Sequence, residues 1–314
     1  RDFCWWLGVL GLWDAATPPV GAEHVTIAVS GAHGGTTVDF RELAAQGVIL
    51  VGRANEYDDG TMRFGTDLKA IIFPKAGEEE KAAEQLKQTI YTQASLFTMH
   101  YSLAKLWMHW GITPDAMMGH SIGEFAAACL AGVFSLEDAV KLVANRGRMM
   151  QDLPGGSMLS VRAAEADVLK KLPAGCSIAA NNGPQLCVAS GPHEAIAKLQ
   201  AELEKDGITC KLLVTSHAFH SPHMDAMLQP FARVAKECTY RTPRISFVST
   251  LTGTARADVL TPAYWVRQAR ATVRFAEVVG SLHAAGVRTY VEAGPRAALL
   301  GAVAACLPER SEEH

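Results

Sequence analysis

The sequence predicts an α/β protein in which a small two-layer domain interrupts a larger α/β core, and three observations carry that expectation. Between residues 153 and 216 the segments read strand, helix, strand, strand, helix, strand, the βαββαβ order of a ferredoxin-like unit. On either side, short apolar strands alternate with amphipathic helices. Gly119-His120-Ser121-Ile122-Gly123 fits G-x-S-x-G between a short strand and a helix of small residues, the setting of a serine held on a sharp strand-to-helix turn.

A chain of 314 residues exceeds one ordinary hydrophobic core, so a second unit is expected. With 49% hydrophobic and 19% charged residues it has the composition of a folded protein. It contains no run of eighteen apolar residues, so no membrane span is expected. The formal net charge of -3 offers nucleic acid no basic surface. Seven cysteines, 4, 129, 176, 187, 210, 238 and 306, form no C-x-x-C pair and read as reduced structural thiols of a cytoplasmic protein. The opening RDFCWWLGVLGLWD has neither an initiator Met nor the basic leader of a secretory signal, and reads as part of something larger.

Residues 24–30 (HVTIAVS) read as a strand, VDFRELAAQG as a short helix and residues 48–54 as a second strand, a βαβ-like unit. Its glycines fit neither the dinucleotide fingerprint nor a P-loop. Residues 57–65 read as a hairpin turning at Asp59-Gly60. EEEKAAEQLKQ gives a polar helix, and Leu96, Met99, Leu103, Leu106 and Trp107 mark the buried face of the next one. Ala116-Met117-Met118 predicts a short buried strand. Ser135 caps a helix over 136–151, with Asp138 three residues on. After the inserted unit SHAFHSPHMDAMLQPFARVA reads as a loop into a helix, followed by a strand in RISFVST, helices in PAYWVRQA and FAEVVGSLHAAG, and a last core strand in RTYVEAG.

In the G-x-S-x-G turn, Gly119 and Gly123 relieve crowding and project Ser121, while the helix that starts near Ile122 points free N–H groups toward developing negative charge. A reactive serine needs a base. His217, His220 and His223 in HAFHSPH lie three apart where the inserted unit rejoins the core. That spacing admits a catalytic base, surface histidines or a metal site, although no Cys/His pair or H-E-x-x-H accompanies it. Arg146 shares a helix face with Ala139, Val143 and Met150. An arginine there needs an anion: an acid of the protein, or a substrate carboxylate held near Ser121.

From about Ile72 to Leu307 the chain resembles the malonyl-CoA:acyl-carrier-protein transacylase family, and most closely the acyltransferase domains of polyketide synthases. The stretches that carry this are PDAMMGHSIGEFAAACLAGVFSLEDAVKLVANRGRMMQ, NNGPQLCVASGP, HAFHSPHMDAM, YWVRQARATVRF and YVEAGP. The resemblance implies an α/β hydrolase-like large subdomain (71–152 and 217–307) with an inserted ferredoxin-like small subdomain (153–216), between an atypical front (1–70) and a polar tail (308–314). It implies malonyl transfer from malonyl-CoA to the phosphopantetheine thiol of an acyl carrier protein through an ester on Ser121, with no bound cofactor or metal. A ketosynthase or other synthase modules are the wider partners it suggests.

By the same resemblance His220 is the base, Arg146 pairs with the acyl carboxylate and Gln268 marks the segment that orients the histidine. His120, Ile122, His217 and Phe219 fall in the substrate site, where a bulky Phe219 would narrow the room for an α-methyl group. Arg267, Arg270 and Arg274 are candidates for docking an acidic carrier protein. The front departs from the family pattern, lacking the Gly-Gln-Gly turn whose glutamine lies beside the nucleophile. Residues 1–70 are instead similar to the tail of a flavin-dependent monooxygenase, without its dinucleotide fingerprint. A second oxyanion donor is therefore expected from this atypical region, and a serine hydrolase or an impaired acyltransferase-like scaffold remain the alternative readings.

Overall fold

The computed structural model describes residues 53–58, 61–65, 68, 71–253 and 257–308. The βαβ-like reading of residues 24–52, the flavoprotein-like resemblance of the front, the expected second oxyanion donor and the terminal ERSEEH lie outside these residues. The first described elements are β1 (Arg53–Asp58) and β2 (Thr61–Gly65), an antiparallel pair pairing Arg53 with Gly65 and Asp58 with Thr61. The expected hairpin is present. Its first strand begins at Arg53, so residues 53 and 54 belong to the hairpin.

The large subdomain follows as α1 (Glu79–Leu86), α2 (Thr89–His109), β3 (Ala116–Met117), α3 (Gly123–Ala131) and α4 (Leu136–Gln151). Gly132, at φ 90°, ends α3 in a left-handed conformation that glycine adopts without steric cost. Two residues later the chain re-enters a helix, where the Ser135 side chain accepts the Asp138 N–H at 3.1 Å. β3 is half-buried rather than fully buried, and it pairs in parallel with β8 (Ser246–Phe247). In α2 the buried positions include Phe97, Met99 and Leu106 but also Thr89, Gln93, Thr98 and Ser102. The helix presents polar side chains to the interior for a reason that the site supplies.

The inserted unit contains β4 (Ser157–Val161), α5 (Glu165–Leu169), β5 (Ser177–Gly183), β6 (Leu186–Gly191), α6 (His193–Lys205) and β7 (Cys210–Leu212). Its strands lie in the order β7-β4-β6-β5 with antiparallel neighbours, the ferredoxin-like arrangement that βαββαβ order predicts. β5 runs through Asn182 and Gly183, two residues expected in the turn.

The chain returns through a 3₁₀ turn (Pro222–Met224), α7 (Asp225–Lys236), β8, a second 3₁₀ turn (Ala257–Leu260), α8 (Pro262–Arg270), β9 (Val273–Arg274), α9 (Phe275–Ala284) and α10 (Leu300–Cys306). β9 joins the small sheet as a fifth strand, parallel to β5. Strand alternation explains how this sheet is buried on both faces. Leu159, Val161, Cys187 and Ala189 face Val168 of α5 and Ile196, Leu199 and Leu203 of α6. Met158, Ala180 and Val188 face Phe275 and Val279 of α9 and Val303 of α10. The inserted unit is thus one layer of its own helices and one sheet, closed from behind by the returning chain.

The large core gathers Phe125, Phe134, Leu142, Phe231 and Trp265. Trp265 lies 4.8 Å from the Phe125 ring and 4.9 Å from Phe134, and its indole N–H donates to the Val259 carbonyl at 3.0 Å. The last expected strand, RTYVEAG, is not one: residues 287–293 have no regular secondary structure. A strand needs a neighbour's ladder. Here the Glu292 carboxylate instead accepts the N–H groups of Ala298, Leu299 and Leu300 at 2.9–3.2 Å, folding the segment onto the start of α10.

Candidate active site

Ser121 sits between β3 and α3 with φ +51°, a conformation costly for a residue with a Cβ. The turn is possible because position 119 is glycine: a Cβ there would lie 2.1 Å from the Gly123 carbonyl carbon. Gly123 itself is under no such demand, since a Cβ would make only ordinary contact with His100 at 3.8 Å. Its crowding role is therefore to be met by Gly119, not to need space of its own. The Ile122 N–H has no backbone acceptor among the described residues and opens the first turn of α3 beside Ser121.

His220 is the second residue with a side chain at positive φ among the described residues, +56°. Gly156 lets the rejoining chain pass, since a Cβ there would meet the Ala218 Cβ at 2.6 Å. Ser221 then pins the corner, donating to the Ala218 carbonyl at 2.6 Å and accepting the His223 N–H at 3.2 Å. The result is a His220 Nε2 to Ser121 Oγ distance of 2.7 Å, within reach for proton transfer. His220 Nδ1 is 2.8 Å from the Ala271 carbonyl oxygen. A carbonyl only accepts, so Nδ1 carries the proton. Burial, then the charge of Arg146 and the ring of His120, push the His220 pKa down to about 3. The ring is neutral at physiological pH, and Nε2 accepts the serine proton.

The carbonyl that orients His220 belongs to Ala271, correcting the expectation placed on Gln268. Gln268 works on the other partner: its Nε2 donates to the Ser121 carbonyl at 2.8 Å. The carbonyl follows α8 by one residue, where the chain has left the helix at φ -81°, ψ 160° and turns the group outward.

Arg146 is 2% exposed. Its Nη1 donates to Gln93 Oε1 at 2.5 Å, its Nη2 lies 3.5 Å from Ser121 Oγ, and its guanidinium stands 5.5 Å from the Phe125 ring centroid. Nε has no partner among the described residues. Burial lowers its pKa to about 9, with the charge of Glu124 opposing, so the group remains a cation at neutral pH. Among the described residues no carboxylate forms an ion pair with it; the charge of Glu124 acts on it only through space. Gln93, a neutral acceptor, explains the polar face of α2. Thr89 and Gln93, one helical turn apart on that face, were the available sequence signal.

His217 is buried with both ring nitrogens engaged, Nδ1 by Thr89 Oγ1 at 2.9 Å and Ser216 Oγ at 2.8 Å, Nε2 by the Leu153 carbonyl at 3.2 Å. It ties the two crossing connections of the inserted unit rather than offering a ring nitrogen to a ligand. Phe219 packs between the two subdomain cores, its ring 6.1 Å from that of His217. His120 reaches across to the small subdomain, Nε2 to Asn182 Oδ1 at 2.8 Å, with burial lowering its pKa. Among the described residues there is no group of three or more His, Cys, Asp or Glu placed to hold a metal ion.

Glu124 escaped the sequence reading. It is fully buried, and its Oε1 accepts the Thr250 N–H at 2.6 Å and lies 3.1 Å from the Tyr264 hydroxyl. Burial raises its pKa to about 7, against hydrogen bonding from Thr250, Tyr264 and Gln268. A single acid in the otherwise apolar GEFAAACLA was the signal for it.

A serine alcohol bonded to a neutral, carbonyl-oriented histidine at a strand-to-helix turn defines a nucleophilic acyl-transfer site. The chain belongs to the acyl transferase domain family, whose model matches residues 50–313. It is 45% identical over 254 residues to the spectinabilin polyketide synthase system protein NorB of Streptomyces orinoci, an alignment spanning 79% of this chain and 12% of that protein. The acyltransferase domain from the second module of the salinomycin polyketide synthase is 42% identical, with a TM-score of 0.73 over 78% of this chain and 58% of the other. The acyl transferase domain of SpnD in complex with 2-(pent-4-yn-1-yl)malonyl is 30% identical, with a TM-score of 0.75 over 94% of this chain and 71% of that one.

Proposed function

We propose that this chain transfers a malonyl group from malonyl-CoA to the phosphopantetheine thiol of an acyl carrier protein through an ester on Ser121. The observation that carries the reading is Arg146: a buried guanidinium with no ion-paired carboxylate among the described residues, 3.5 Å from Ser121 Oγ. An acyl group with a free carboxylate would supply the missing anion and be aligned with the nucleophile. The SpnD domain, similar in fold and sequence, holds a malonyl derivative, which supports the same assignment.

In the first half-reaction His220 Nε2 takes the Ser121 proton as Oγ attacks the thioester carbonyl. The Ala271 carbonyl holds the resulting imidazolium through Nδ1–H, and the Ile122 N–H is positioned for the oxyanion. Nε2 then returns the proton to the departing CoA sulfur. In the second half the carrier thiol gives its proton to Nε2, attacks the seryl ester, and Oγ is released with that proton. Arg146 binds the free carboxylate throughout, Gln93 fixes the guanidinium, and Phe219 limits the room at the α-carbon.

Carrier docking is part of this proposal, but it does not rest on the three arginines of the rim. Arg267 is paired with Asp258 at 2.9 Å, Arg270 with Asp225 at 2.7 Å and Arg274 with Glu165 at 2.6 Å, so their charges are compensated within the chain.

Intact-mass analysis after mixing with malonyl-CoA tests the reading. A malonyl adduct is expected that Ser121→Ala abolishes and that an acyl carrier protein discharges to its own thiol. Arg146→Ala should slow malonyl loading by on the order of 10²-fold more than acetyl loading, since only the former loses a charge-assisted bidentate contact. Equal losses with both donors, or release of free malonate in preference to transfer, reject the proposal.

A further inference from the structure

Two polar contacts clamp the strained turn of Ser121 from outside: Thr250 Oγ1 donates to the Gly119 carbonyl at 3.0 Å and Gln268 Nε2 donates to the Ser121 carbonyl at 2.8 Å. Thr250 has a second engagement, its carbonyl accepting the Arg274 N–H at 2.5 Å. That bond anchors the short segment that carries the Ala271 carbonyl, the group that orients His220. One residue therefore touches the supports of both reacting side chains. Thr250 is itself held by Glu124, whose Oε1 accepts its N–H at 2.6 Å and lies against Tyr264 at 3.1 Å, with Tyr264 in turn 2.6 Å from Ser249 Oγ. Glu124 stands three positions after Ser121 on α3, and Thr250, Tyr264 and Gln268 come from the returning chain.

We propose that Glu124 is a positioning residue that sets the separation of Ser121 and His220 by fixing Thr250 and Tyr264 against the turn. The clamp needs an acceptor at the Oε1 position. A buried side chain of similar volume without one would leave the Thr250 N–H unpaired and free the loop that holds both carbonyls. Arg146 and Gln93 belong to α4 and α2 and share no hydrogen bond with the clamp; the Glu124 charge reaches Arg146 only through space, so donor binding should respond less than serine reactivity. The inference rests on the acyl-transfer reading of Ser121 and His220, yet it concerns the reactivity of the serine and not the identity of the acyl group.

The test measures Ser121 labelling by a fluorophosphonate alongside its loading by malonyl-CoA, in the full chain and its Glu124→Ala, Glu124→Gln and Thr250→Val variants. Glu124→Ala should slow labelling and the maximal loading rate by on the order of 10²-fold through misplacement of the pair, with the half-saturating malonyl-CoA concentration little changed. Glu124→Gln retains the acceptor and should stay within about fivefold of the parent. Labelling of Glu124→Ala at the parent rate, or equal impairment of the Ala and Gln variants, overturns the proposal. Should Glu124→Ala lose its circular dichroism signature, Thr250→Val decides: it keeps the β-branched shape, removes only the bond to Gly119, and should slow labelling about tenfold, whereas an unchanged rate rejects the role. A parent chain that labels rapidly but takes no malonyl group would sink the malonyl assignment and leave Glu124 as argued.

Discussion

At the residue scale the site is governed by burial of ionisable groups with opposite consequences. His220 acts through an unprotonated Nε2, and its pKa is pushed down to about 3 from an ordinary 6.5. Protonation of the base should therefore not limit the reaction near neutrality. The second-order rate of Ser121 loading is expected to keep more than half its neutral value at pH 5, read by quenched mass spectrometry; a fall centred near 6.5 would contradict the environment described. The same shifts act on stability with opposing signs. The neutral form of His220 is favoured by folding, so its contribution is complete above 6.5 and is lost as pH falls toward 3. Glu124, raised from 4.5 to about 7, favours folding in its protonated form, and its contribution is complete below 4.5 and is lost as pH rises through 7. Glu124→Gln should therefore flatten the dependence of Tm on pH between 4.5 and 7, removing a decline on the alkaline side. Phe219 poses a different question, one of volume: Phe219→Ser should raise the ratio of methylmalonyl to malonyl loading, within the roughly 10- to 200-fold that one small group commands.

At the scale of elements, the turn between β3 and α3 is decided by a glycine. Gly119→Ala places a methyl 2.1 Å from the Gly123 backbone, and no rotamer change can relieve a backbone clash. The variant should lose fluorophosphonate labelling of Ser121 while retaining the small sheet, seen as preserved β signal in circular dichroism. This turn, the cap at Ser135 and the βαββαβ insertion were legible because each rests on local chemistry: a motif in its strand-to-helix setting, a hydroxyl three residues before an amide, a period-2 pattern. Long-range satisfaction was not legible. Ala271 contributes only its carbonyl, which any residue possesses, so no side-chain signal marked it and the expectation settled on Gln268. RTYVEAG has strand-like residues, but whether it forms a strand depends on a neighbour, and Glu292 settled it otherwise. The buried face of α2 was read from Leu96, Met99, Leu103, Leu106 and Trp107, of which Met99 and Leu106 are buried, whereas nothing apolar marked Gln93, which the interior uses to hold Arg146.

At the scale of the whole molecule, the two subdomains share elements rather than merely touch. β9 extends the small sheet, and α9 leads directly from it into the layer behind. Phe275 at the start of α9 packs under the small sheet and lies 5.7 Å from the His120 ring. Phe275→Ala should cost about 3–5 kcal/mol, measured by urea unfolding, and the parent is expected to melt both subdomains in one transition because the sheet is incomplete without β9. That interleaving also orders events while the polypeptide is being made. Ser121 leaves the ribosome as an ordinary alcohol, and the imidazole that activates it is 99 positions behind. The carbonyl that sets the tautomer, and the fifth strand that seats that carbonyl, emerge later still. Until position 271 has been made and folded back, Ser121 therefore has no oriented base and keeps the reactivity of any exposed alcohol.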